Sequence, residues 1–176
     1  MPGVAYIHVL AVTFMETYKV KLVSQTNAIV LLLILLVAFF IEAAIFFPLR
    51  SESLGIPLIV LEFAFAIFLW QKFVTGWTEW QVDKDRITIS WTKKFAFSDI
   101  ADYVFEWKDI EKIWKGMDTN YYNLKFKFTN EEKITFYHAS FGNDDFSDLL
   151  KILYKTLDER KKATANSSFA KVGLKQ

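Results

Sequence analysis

Two apolar runs, separated by eight residues with little apolar content, constrain this chain more than any other feature. The first, AIVLLLILLVAFFIEAAIFF, covers residues 28–47, and the second, IPLIVLEFAFAIFLWQKFVT, covers residues 56–75. Each is about 20 residues long, and about 20 helical residues rising 1.5 Å each cross a hydrocarbon layer about 30 Å thick. Pro48, Arg50, Glu52 and Gly55 lie between them, which is turn chemistry. The pattern predicts a transmembrane helical hairpin with helices over about 28–47 and 56–75. In a chain of 176 residues, that leaves room for one further small domain.

Basic residues orient the hairpin. Lys19 and Lys21 precede the first run, Lys72 ends the second, and Lys84 and Arg86 follow, whereas the connecting turn offers only Arg50. The positive-inside bias therefore predicts an integral membrane protein with both termini in the cytoplasm and the turn outside. Trp70, Trp77 and Trp80 cluster at the inner end of the second run, where amphipathic rings favour the headgroup layer. The absence of cysteine excludes disulfides, thiol catalysis and thiolate metal sites, and suits a reducing compartment. A net charge of +1 gives no general pull toward nucleic acid, and residues 77–160 are acidic, with 13 Lys+Arg against 16 Asp+Glu.

Before the hairpin, residues 1–14 are apolar but lack a basic leader and a cleavage motif, so they make a poor signal peptide. They read either as an interfacial segment or as an extension ahead of a natural start at Met15. Residues 18–23, YKVKLV, alternate with a strand's period of two. A lone strand needs a partner edge, so this one lies at the membrane surface or pairs with the sheet that follows. In the second case the hairpin is an insertion near the start of the globular domain.

After Gly76, where the second run ends, the period changes. Residues 77–82 and 86–91 flank Asp83-Lys84-Asp85 as a hairpin, with Ile87, Ile89 and Trp91 on one face. Residues 93–101 read as a loop and 102–107 as a strand facing inward through Tyr103, Phe105 and Trp107. Residues 108–115 read as a turn or bent strand. In YYNLKFKFT, Tyr122, Leu124, Phe126 and Phe128 oppose Asn123, Lys125 and Lys127; the Asn130-Glu131-Glu132 turn then leads to Ile134 and Phe136. Phe146, Leu149, Leu150, Leu153 and Leu157 recur at helical spacing, with Asn143 or Asp144 as the cap. Residues 163–176 carry little apolar content and are expected to be a disordered basic tail.

The expected fold class is thus a membrane α-helical hairpin plus an α+β domain over 76–162, built from six to seven antiparallel strands and a C-terminal helix. The segment EWKDIEKI, followed by a hairpin and a terminal helix, resembles bacterial pleckstrin-homology-like (PH-like) domains of the YcxB-type group, in which a two-helix membrane hairpin often precedes the domain. That resemblance rests on element order and implies a curved sheet or half-barrel capped by a helix, with no catalytic residues carried over.

Five features compete for a functional role. Glu42 and Glu62 each sit six residues from the outer turn, about 9 Å inside the hydrocarbon boundary. Two carboxylates held close there can share one proton and form a proton or cation site, or set an oligomeric state. Alternatively they lie shallow enough to reach headgroup water near Arg50. Lys93 and Lys94 are candidate contacts to anionic lipid, as are Lys161 and Lys162 with the basic tail. Lys125 and Lys127 form a basic strip that also reads as a solvated sheet face. In eukaryotic PH domains a basic first loop reads inositol phosphates, whereas Asp83-Lys84-Asp85-Arg86 is neutral overall. Asp144, Asp145 and Asp148 suggest a cation but are explained by helix capping. Neither His8 nor His138 has a recognisable motif partner, and no glycine-rich phosphate loop occurs. No cofactor, metal or catalytic residue is expected. The expected function is a membrane-anchored cytoplasmic binding or scaffold module that recognises a protein segment or its own copy. The alternatives are a small oligomeric transport or ion-responsive component built on Glu42 and Glu62, and an anionic-lipid sensor.

Overall fold

A computed structural model describes residues 16–46, 52–118, 121–138 and 143–172. The segment before residue 16 with the alternative start at Met15, the turn holding Pro48 and Arg50, and the last four residues lie outside these. Strand β1 (Glu16–Val23) leads into helix α1 (Gln25–Phe46), then helix α2 (Glu52–Leu69) and a π-helical turn (Trp70–Val74). Strands β2 (Thr75–Val82), β3 (Arg86–Lys93) and β4 (Tyr103–Glu106) follow. A 3₁₀ turn (Trp107–Asp109) introduces β5 (Ile110–Asp118), and β6 (Tyr121–Phe128), β7 (Lys133–His138) and helix α3 (Phe146–Val172) complete the chain.

The seven strands form one antiparallel sheet in the order β4-β3-β2-β1-β7-β6-β5, so the fold is α+β. Period-two alternation turns Thr78, Trp80 and Val82 of β2, Ile87 and Ile89 of β3, and Leu124, Phe126 and Phe128 of β6 to one buried face. The sheet curls strongly. Phe105 of β4 and Phe128 of β6, five places apart in strand order, have ring centroids only 5.0 Å apart. Trp80 stands at the centre, 5.1 Å from the ring of Phe136 and 6.1 Å from that of Phe126. Its indole N–H donates to Thr78 Oγ1 (2.9 Å), which donates in turn to the Val20 carbonyl (3.0 Å), so burial leaves neither polar group unmatched. Helix α3 closes the curl with Phe146, Leu149, Leu150, Leu153 and Leu157, all buried in the same core.

Several expectations change. Residues 16–23 join the sheet, pairing with β2 from Glu16↔Val82 to Val23↔Thr75, so the domain is not confined to 76–162. Gly76 lies within β2, and a Cβ there would sit 2.8 Å from the Trp91 ring and 2.9 Å from the Lys93 carbonyl. It is required for close packing of β2 on β3. Trp80 is fully buried, because the strand period sends it to the core and away from any headgroup layer. Residues 108–115 resolve into the 3₁₀ turn and a nine-residue strand. Asn123 is 1% exposed despite sharing a face with Lys125 and Lys127, because it lies across from Gly116, which leaves room for its side chain. Finally, α3 continues through Val172 where a disordered tail was expected from residue 163. Once its first half is docked, each added residue only propagates an existing helix, and the three alanines there are good formers.

Among the described residues, one helix is long and apolar enough to cross a membrane, over Gln25–Ala44 with a mean hydropathy of 2.6. Both α1 and α2 expose large apolar side chains, including Leu32, Phe39 and Phe40 on α1 and Val60, Leu61 and Phe63 on α2. Residues 52–55 are helical as well, so α2 starts earlier than the apolar run, with Pro57 one turn in.

Candidate functional site

The base of the two helices is where the chain concentrates its unusual polar contacts. Ser24 follows β1 and caps α1: its Oγ accepts from the Asn27 N–H (3.2 Å) and its carbonyl from the Ala28 N–H (3.0 Å). Its own N–H donates to the Val74 carbonyl (3.0 Å), extending the β1–β2 ladder to the points where the helical segment begins and ends. The Asn27 amide then donates to the Phe73 and Ala96 carbonyls, both at 2.9 Å, which ties α1 to the end of the π-helical turn and to the β3–β4 loop. The Gln71 carbonyl, which the π-helical turn leaves available, accepts from Thr75 Oγ1 (2.7 Å) and from the Lys93 ammonium. Beneath these bonds Val23, Ala28, Leu31 and Val74 form a second buried cluster, flanked by Leu35, Leu69, Trp70 and Tyr121. The junction is therefore fixed by backbone ladder, side-chain bridges and packing together.

Lys93 lies at the helix base, beside the π-helical turn. Its side chain is half-buried, spent on Gln71, and its ammonium is held below the usual range by burial and by the nearby charge of Lys21. Lys94 is exposed. Lys161 and Lys162 are exposed on α3, and Lys162 pairs with Asp158 at 2.7 Å, one turn back. Lys125 is half-buried, and Lys127 bonds Glu111 at 2.6 Å. Glu42 lies near the far end of α1 and Glu62 within α2, both half-buried.

A second constellation escapes sequence reasoning. His138 Nε2 meets Asp144 Oδ2 at 2.7 Å, with side chains 9% and 7% exposed, and its ring stacks on Phe146 at 3.9 Å. Asp144 also accepts from the Lys21 N–H (3.0 Å) and the Phe146 N–H (3.3 Å). Burial alone pushes the Asp144 carboxyl up, but the bonds from His138, Lys21 and Phe146 outweigh it and hold the group below its usual range. Asp145 exchanges two bonds with Lys19: its carboxylate accepts from the Lys19 N–H (2.8 Å) and its N–H donates to the Lys19 carbonyl (2.9 Å). The two aspartates thus clamp the β1 edge where β7 pairs with it only at Leu22↔His138. Capping accounts for part of this cluster. The rest depends on contacts more than 120 residues apart, which no local motif could reveal.

Among the described residues, no group of three or more histidine or acidic side chains could hold a metal ion. Compared against protein-family models and against curated proteins, the chain matches none.

Proposed function

We propose that this protein is a membrane-anchored binding module. In this reading α1 and α2 form a transmembrane hairpin in a bacterial inner membrane. Both chain ends and the sheet lie on the cytoplasmic side, and the sheet is a PH-like, non-catalytic scaffold for a protein segment or a second copy of the chain. The observation that carries it is the insertion of both helices between two directly paired strands, β1 and β2. With the ladder running to Ser24 and Val74, no flexible linker separates the helices from the sheet. A partner is then met in two dimensions at high effective concentration and in a set orientation.

Strand order supports the PH-like reading. Two meanders, β1 to β4 and β5 to β7, join through β1 and β7, and α3 covers the curl. With Glu16–Val23 as the first strand, the connection that reads inositol phosphates in eukaryotic PH domains is here the helical pair itself, and the neutral Asp83–Arg86 turn is the second. That favours anchoring over headgroup recognition. The sheet is open, with edges at β4 and β5, and strand addition at the longer β5 is the expected mode of contact. The test is photocrosslinking of the full chain in native membranes, from Met117 in β5 and Val104 in β4, read by mass spectrometry. Both side chains are well exposed. A reproducible adduct with one protein segment or with the chain's own β5 is expected; the absence of any protein adduct from either edge would overturn the reading.

A further inference from the structure

The most exposed large apolar side chain in the described protein is not on a helix. Phe97, in the β3–β4 loop, is 97% exposed, beyond any large apolar residue of α1 or α2 whose side chain is described. Its backbone has φ 58°, a region that side chains other than glycine's rarely adopt. The fold thus holds this phenylalanine outward in a conformation the chain would not choose locally. Its ring stacks on Phe73 (centroids 5.9 Å apart, planes 15° apart), and the carbonyl of the preceding Ala96 is bonded to Asn27 at 2.9 Å. The loop is therefore pinned to the inner end of both helices.

Resting on the membrane reading above, we infer that the β3–β4 loop is a third membrane contact, an interfacial wedge that places Phe97 at the boundary between headgroups and acyl chains. Asn27 and Phe73 mark the level at which the apolar helices give way to the sheet, so a ring stacked on Phe73 stands at that boundary. The surroundings suit it: Trp70 is half-buried, and Lys72 and Lys94 are exposed within reach of headgroups. Asp99 follows and offsets one of these charges. Apolar insertion, rather than attraction to anionic lipid, supplies the contact, and it persists in purely zwitterionic bilayers. The wedge adds a contact point off the helical pair and so sets the tilt of the sheet against the membrane.

Because the chain has no cysteine, single cysteines carrying an environment-sensitive fluorophore can be placed at will. Full-length Phe97→Cys, Lys94→Cys, Ile34→Cys and Lys84→Cys proteins in phosphatidylcholine nanodiscs are compared by emission maximum and by quenching from lipids spin-labelled at shallow or deep positions. The expected result is deep quenching at position 34, blue-shifted emission with shallow quenching at 97 and 94, and unquenched aqueous emission at 84. Deep quenching at 34 with aqueous emission at both 97 and 94 overturns the wedge and leaves the membrane span standing. Aqueous emission at 34 overturns both. A Trp-fluorescence unfolding midpoint matching the unmodified protein shows that each labelled chain is folded.

Discussion

Removing the Asp144 carboxylate should have a cost that follows from its three acceptor contacts. In Asp144→Ala the Lys21 N–H and His138 Nε2 lose their partner in a site only 7–9% exposed, and the bond to the Phe146 N–H at the start of α3 disappears. A hydrogen bond to a charged acceptor is worth about 1.5–3 kcal/mol, and a lost cap about 1 kcal/mol. Because the bonds share one carboxylate and do not add, the expected total is about 2–4 kcal/mol. At an m-value of about 2 kcal/mol per molar urea, the midpoint falls by about 1–2 M. Asp144→Asn keeps an acceptor oxygen and should lose about half as much. The pH dependence has a definite sign. The folded carboxyl sits below its unfolded range, near 3.9, so the unfolded chain binds protons more readily in acid. The contribution is complete above the unfolded value and is lost as pH falls through the folded one. Wild type and Asp144→Asn should therefore differ most at neutral pH and begin to converge as pH falls below about 4. The assay is urea unfolding of the full chain in detergent at pH 7 and pH 3, followed by fluorescence of the buried Trp80. A difference under about 0.5 kcal/mol at pH 7, or one that does not narrow in acid, would refute the clamp.

Gly76→Ala places a methyl 2.8 Å from the Trp91 ring and should destabilise by about 1–3 kcal/mol in the same assay; a neutral outcome would mean that β2 and β3 can separate. Asn27→Leu leaves the Phe73 and Ala96 carbonyls without their shared donor. Amide exchange across residues 94–98 should then accelerate at least tenfold for a loss of about 1.4 kcal/mol, and unchanged protection would show that the bridge does not hold the loop. The double substitution Glu42→Gln and Glu62→Gln is expected to leave self-crosslinking in membranes unchanged, since a binding module uses its sheet; an altered oligomer ladder would assign the pair a role.

The residues differ in how openly they declared themselves. Apolar runs of membrane length and alternation such as Ile87, Ile89 and Trp91 are local properties, legible because burial imposes its period directly on the chain. The leucines of α3 were legible for the same reason. The place of Gly76 is hidden in sequence because its role depends on Trp91 and Lys93 across a strand pair, and that of Trp80 because a tryptophan near an apolar run suits an interface as well as a core. Lys93 reads in sequence as a contact to anionic lipid, and only the fold shows its bond to Gln71.

By itself the sequence determined that the chain holds membrane-length apolar segments, a mostly antiparallel sheet and an amphipathic closing helix, since each follows from a repeat within one element. Only the tertiary structure decided that Glu16–Val23 belongs to the sheet, that the helices interrupt a strand pair, and that Asp144 and Asp145 clamp the β1 edge. It also decided that Phe97 stands outward at the helix base. These are pairings between residues far apart in the chain, set by backbone hydrogen-bond registers and by what must be buried together. A period within one segment carries no information about its partner.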